Sequence, residues 1–216
     1  MGKNTIGIPL ATSATSGIDG TAAGVRKGAP VDAGVPVVFL HHLMAVLDDW
    51  DPRVIDGIAA RHRVIAFDNR GGGGIDRINR IAALAYVKAA LTLSDPRNFL
   101  FFPRNLEGKR AAKDYFSRLK ERTENRDKPI SLQARIAQLK AIKNAGLSAP
   151  DDLSAITHPV FVANGDRDLM VESSLSADMA RRLPNAQLTI CPDSGHGGVF
   201  QHHRAFVPAV LDFLAD

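Results

Sequence analysis

Short, wholly apolar runs alternate along this chain with longer segments in which apolar positions recur every three or four residues. Four short runs stand out: VVFL at 37–40, RVIAF at 63–67, PVFVAN at 159–164 and AQLTI at 186–190. Runs of this length, rich in β-branched residues and bounded by Gly, Pro or Asp, are the pattern of strands covered on both faces of a parallel sheet. Between the first two, Asp51-Pro52 supplies an N-cap and a proline at the first helical position. Val54, Ile55, Ile58 and Ala59 then give one apolar stripe, which predicts a helix over about 52–61. Strand, helix, strand at this spacing is a βαβ unit.

The pattern changes after Asp76. One helix should carry Ile78, Ile81, Leu84 and Ala85, a second Ala112, Tyr115, Phe116 and Leu119, and a third, capped by Ser131, Leu132, Ile136, Leu139 and Ile142. None is followed by a strand until Val160, so these helices form an insertion in an α/β frame. The frame resumes with PVFVAN, a helix over roughly 173–182, AQLTI, and a last helix presenting Phe206, Val210, Leu211 and Leu214. The expected organisation is a flexible N-terminus over 1–17, a first α/β part over 18–74, a helical cap over 75–149 and a second α/β part over 150–216. Asp19-Gly20 suggests a weak hairpin ending near Lys27. The expected class is α/β with a mostly parallel sheet.

Composition narrows the picture. The chain has 216 residues, 45% of them apolar, enough for one substantial core. The +4 formal charge is concentrated between Arg104 and Lys143, where basic residues share helices with Leu and Phe; a solvated helix face explains this, and no nucleic-acid motif accompanies it. The single cysteine, Cys191, excludes an internal disulfide and, following LTI in a strand, reads as a small core residue. No apolar run approaches a membrane span and the first residues lack the apolar stretch of a signal peptide, so a cytoplasmic protein with neither membrane nor nucleic-acid partner is expected.

Chemistry-bearing residues gather in two loops. HPVFVANGDRDLMV places Asp166 and Asp168 at one strand end, and LTICPDSGHGGVF places His196 at the next. An imidazole held in one tautomer by a carboxylate is the acid–base partner that an activated nucleophile requires. His41 and His42 are adjacent and point apart, with no carboxylate or cysteine cluster at ligand spacing, so no metal is expected. His202 and His203 read as solvated residues or helix-dipole neighbours.

The succession VVFLHHLMAVLDDWDP, RVIAFDNRG, PVFVANGDRDLMV and PDSGHGGVF resembles the α/β-hydrolase superfamily, in its cap-bearing esterase and non-haem haloperoxidase-like branch. The resemblance covers roughly 35–70 and 150–216, with 75–149 where such enzymes carry a cap. It implies that Asp168, in Gly165-Asp166-Arg167-Asp168, is the acid of the triad, and that His196 is its histidine. It implies an oxyanion loop at His41-His42-Leu43, with the Leu43 N–H as donor and His42 in the usual glycine place. Trp50 should pack beneath that loop. No cofactor is implied, and the expected partner is a small ester or acyl substrate.

The family's nucleophile sits in a G-x-S-x-G elbow, and no such block is present. Ser148 follows Gly146 but meets Pro150 where the second glycine belongs, and Ser194 lies in the histidine loop itself. The chain passes from DNRG through Gly72-Gly73-Gly74 into the first cap helix, where two strand–helix units of about 60 residues would be expected. The central segment reads as absent, with the glycine run as its seam. VVFL should then find a new neighbour, PVFVAN being the nearest candidate, and helix faces shaped for the lost strands should be exposed. Two readings compete: a carboxylic-ester or acyl hydrolase whose nucleophile is missing or improvised, and a catalytically inactive or internally deleted derivative acting as a scaffold or binding protein. A weaker third takes Gly71–Gly74 as a phosphate-cradling turn, although Asp76 breaks the glycine order.

Overall fold

The computed structural model describes residues 23–26, 37–40, 49–62, 64–67, 76–121, 123, 131–133, 136–138, 140 and 152–215. Strands β1 (Ala23–Arg26), β2 (Val37–Leu40) and β3 (Val64–Phe67) form one sheet in the order β1-β3-β2. Strand β2 runs parallel to β3 with Val37 opposite Val64, and β1 runs antiparallel to it. Strands β4 (Val160–Gly165) and β5 (Ala186–Cys191) form a second, parallel pair, with Val160 opposite Ala186 and Gly165 opposite Cys191.

Each parallel pair has its own crossover helix. Helix α1 (Pro52–Ala59) links β2 to β3; Asp51 caps it by accepting a 3.0 Å bond from the Arg53 N–H, and Val54, Ile55, Ile58 and Ala59 are buried as its stripe predicts. Helix α5 (Ser173–Arg182) links β4 to β5. The expected ladder between VVFL and PVFVAN does not form: among the described strands β2 pairs with β3 and β4 with β5. A crossover helix brings its two flanking strands together, so local connectivity satisfies each strand first. The two pairs meet through helices instead, because α1 packs on α6 (Gly198–Gln201) and α7 (His203–Phe213), and α6 also packs on β4. Likewise, β1 is tied to β3, while Asp19 and Gly20 lie outside the described residues.

The helical insertion contains α2 (Asp76–Thr92), α3 (Arg97–Leu100) and α4 (Leu106–Leu119), followed by helical residues at 132–133 and 136–138. It shares one core with the α/β frame: Leu100, Phe101, Phe102, Ala112, Tyr115 and Leu119 cluster with the α1 stripe, Val64 and Phe200. Tyr115 stacks on Phe200 at 5.2 Å, and its hydroxyl donates to the Asp49 carbonyl at 2.8 Å. Arg118 donates through Nε to both oxygens of the wholly buried Asp51, at 2.9 and 3.0 Å. The carboxylate that caps α1 is therefore also the counter-ion of α4.

Two predicted stripes turn outward. In α2, Ala85 is buried but Leu84 is exposed together with Val87 and Leu91; farther on, Leu132 and Ile136 are exposed while Gln138 is buried. In both, the period groups these residues on one face, but among the described residues no layer covers Leu84, Leu132 or Ile136. Among the described residues no helix is long and apolar enough to cross a membrane.

Candidate active site

The site is built at the carboxyl ends of β4 and β5, where parallel strands leave two loops side by side. Register does the first part: Gly165 faces Cys191 across the ladder, so the residues after each strand start level. A Cβ on Gly165 would lie 2.2 Å from the Gly195 carbonyl oxygen and 2.4 Å from that of Ser194, so only glycine lets the loops approach this closely. Backbone bonds then lace them, from Asp166 N–H to the Cys191 carbonyl (3.0 Å) and from Arg167 N–H to the Ser194 carbonyl (2.9 Å).

Two carboxylates leave the acid loop and do different work. Asp166 turns back to its neighbour and accepts from the Ser194 N–H at 3.1 Å. Burial would raise its pKa, but hydrogen bonds from the Ser194 and Asp193 backbone outweigh that and hold it below the ordinary aspartate value. Asp168 is turned inward with its side chain fully buried. One of its oxygens accepts from the Met170 and Val171 N–H groups at 2.7 and 3.0 Å; the other is 2.8 Å from His196 Nδ1. A carboxylate only accepts, so this contact places the ring proton on Nδ1 and leaves Nε2 as the basic nitrogen. The imidazole is a quarter exposed, and Nδ1 makes its one hydrogen bond among the described residues.

Further residues hold this pair, and the sequence reading had not singled them out. Asn164 accepts from the Gly165 N–H and donates to the Val171 carbonyl and Ser176 Oγ, bracing both ends of the acid loop. Ser173 Oγ donates to the Gly165 carbonyl at 2.6 Å. A lone Asn closing the apolar run PVFVAN was the available signal for the first of these. On the other side, the Gly197 N–H donates to the Phe101 carbonyl at 2.9 Å, and the Phe101 ring lies 5.5 Å from the imidazole. The unbroken run Leu100-Phe101-Phe102, outside any long helix, was the signal there.

Ser194 is not poised for attack: it is fully buried and its Oγ donates to the Cys191 carbonyl at 2.8 Å. Cys191 is buried as expected, and burial, followed by the nearby Asp166 charge, pushes its thiol pKa up. His202 and His203 bond the Pro192 and Phe200 carbonyls through one ring nitrogen each, at 2.9 and 3.0 Å. Trp50 packs edge-on against Phe200 at 5.9 Å. His41, His42, Leu43, Ser148 and Gly71–Gly74 lie outside the described residues. No group of three metal-ligating side chains occurs among the described residues.

A parallel strand pair that presents a buried aspartate to a histidine, beside a βαβ unit and a run of helices, defines a class, and comparison with known proteins agrees with it: the fold is that of the α/β-hydrolases, which the chain resembles. The family model described as TAP-like protein matches residues 138–216. An α/β-hydrolase fold protein from Chitinophaga pinensis superposes with a TM-score of 0.79 at 26% identity, over 94% of this chain and 97% of that one. The enol-lactonase of Burkholderia xenovorans LB400 gives a TM-score of 0.63 at 16% identity, over 96% and 100%, a likeness of fold. A curated protein of Caulobacter sp. (strain K31), named as the carbamate hydrolase RutD, is 45% identical over 65 residues, which are 30% of this chain and 24% of that protein. The match thus spans about a quarter of that relative, whose full length works out at about 270 residues against 216 here.

Proposed function

We propose that this protein hydrolyses carboxylic-ester or related acyl substrates through the His196–Asp168 pair, with water in place of a serine nucleophile. The observation that carries this reading is the 2.8 Å contact between His196 Nδ1 and an Asp168 carboxylate that is fully buried and fixed by two backbone N–H groups. Such a pair holds the ring proton on Nδ1 and directs Nε2 as the proton-accepting nitrogen, which is what a general base requires. In the step proposed, Nε2 takes a proton from water as the water oxygen bonds to the carbonyl carbon. The tetrahedral intermediate then expels the alcohol, which receives that proton from the imidazolium, leaving the acid. The Leu43 N–H, in the loop where His42 replaces glycine, is the proposed donor to the developing oxyanion.

The chain contains no G-x-S-x-G block, and in the sequence Gly72-Gly73-Gly74 leads from DNRG straight into the segment that begins at Asp76. These observations favour, as a second reading, an internally deleted and inactive derivative that acts as a scaffold. Turnover of a short-chain nitrophenyl ester separates the two, with a serine-directed fluorophosphonate probe as companion. The proposal expects turnover that His196→Ala lowers by about 10²-fold or more, with no serine labelled. Turnover equal in wild type and His196→Ala would leave the scaffold reading.

A further inference from the structure

We propose that the corner Leu100–Phe101, at the end of α3 in the helical insertion, is a positioning element for His196; this rests on the site reading above. Three observations converge on it. The His196 and Gly197 N–H groups donate to the Leu100 and Phe101 carbonyls, at 3.4 and 2.9 Å, so the peptide carrying the histidine is anchored to the insertion and not only to β5. The Phe101 ring lies against the imidazole with 5.5 Å between centroids and 60° between planes, a contact that limits rotation of the histidine side chain. Finally, a Cβ at Gly195 would stand 2.8 Å from the Phe101 carbonyl oxygen, and one at Gly197 would stand 2.8 Å from Phe101 Cβ. The two glycines flanking His196 therefore admit this corner as closely as backbone can be admitted.

The corner is itself held from behind. Phe101 is 3% exposed and packs on Phe102, Tyr115 and Phe200. One turn earlier Arg97 donates to both oxygens of Asp95, at 2.9 and 2.7 Å, and also pairs with Asp49. The insertion thus acts as a fixed wall: Asp168 sets the ring from one side through Nδ1, and Phe101 sets it from another through contact and through the peptide.

Proton NMR of the whole protein tests this through the far-downfield resonance of a histidine Nδ1–H bonded to a carboxylate. Wild type should show a slowly exchanging signal that His196→Ala removes. Phe101→Ala should lose the signal or exchange it rapidly, with ester turnover down by about 10²-fold, while Phe101→Leu, which refills the wall, should restore most of both. Gly195→Ala, which pushes the corner away, should behave as Phe101→Ala does, and circular dichroism identifies any variant that has merely unfolded. A wild-type signal retained with unchanged protection in folded Phe101→Ala or Gly195→Ala overturns the positioning role alone. Absence of the signal in wild type overturns the paired site, and the positioning role with it.

Discussion

The two parallel strand pairs of this molecule were built by the same rule and ended differently. Both are βαβ units with a buried or half-buried crossover helix, β2–α1–β3 and β4–α5–β5. In the second, register, a glycine contact and laced loops bring an acid and a base to one point. In the first, β2 leads to the proposed oxyanion loop and β3 leads to a glycine run, where the family's next strand would carry a nucleophile. On the function proposed above, the acid–base half of the site would stand in one unit while the sequence of the other offers no attacking group. The halves remain one molecule because of the helices between them. Asp51 caps the crossover helix of the first unit, and Arg118, which neutralises it, also reaches the Phe200 carbonyl of the second at 3.3 Å.

Breaking that junction should have the largest effect. Arg118→Met leaves the fully buried Asp51 carboxylate without its cation and should cost about 3–5 kcal/mol of stability in urea unfolding. Gly165→Ala attacks the second unit by itself. The methyl would meet the Ser194 and Gly195 carbonyls, so a loss of about 1–3 kcal/mol should come with loss of the His196–Asp168 contact and of any ester turnover. Ser194→Ala sharpens the contrast, since removing a hydroxyl that only donates to the Cys191 carbonyl should cost about 1 kcal/mol and leave turnover intact. Turnover falling with Ser194→Ala as far as with His196→Ala would give that serine a chemical role.

The smallest effect lies in acid. The Asp166 pKa is lowered in the folded chain, so its contribution to stability is present above the ordinary aspartate value and is lost as pH falls through the lowered one. Asp95 behaves in the same way: burial would raise its pKa, but bonding to Arg97 prevails. Chemical denaturation between neutral pH and about pH 3 should therefore show a shallower acid decline in Asp166→Asn than in wild type. An identical decline would mean that its bond to the Ser194 N–H is worth nothing in solution.

Much of this was legible in the chain. Strands reveal themselves as apolar runs, and a helix such as α1 by a cap, a proline and a stripe, because those features act locally. Loops after parallel strands left Asp166 and Asp168 both open beside His196, and the family resemblance pointed to Asp168, the one that contacts the imidazole. Non-local choices were less legible. Nothing in VVFL says that its ladder stops at β3, since pairing depends on which strands are present elsewhere. Leu84, Leu132 and Ile136 fit an inward stripe by period, yet period fixes which residues share a face and not what covers it. Phe101 lay hidden for a related reason: its role comes from a carbonyl and a ring brought 95 positions along the chain to His196.

The most direct test compares ester turnover by the wild-type chain with that of His196→Ala at equal concentration, each confirmed folded. Preassembly of a working acid–base pair predicts a loss of about 10²-fold or more on removing the imidazole. Equal rates in the two proteins would contradict it, and would make the bond between Asp168 and His196 a structural feature without a reaction to serve.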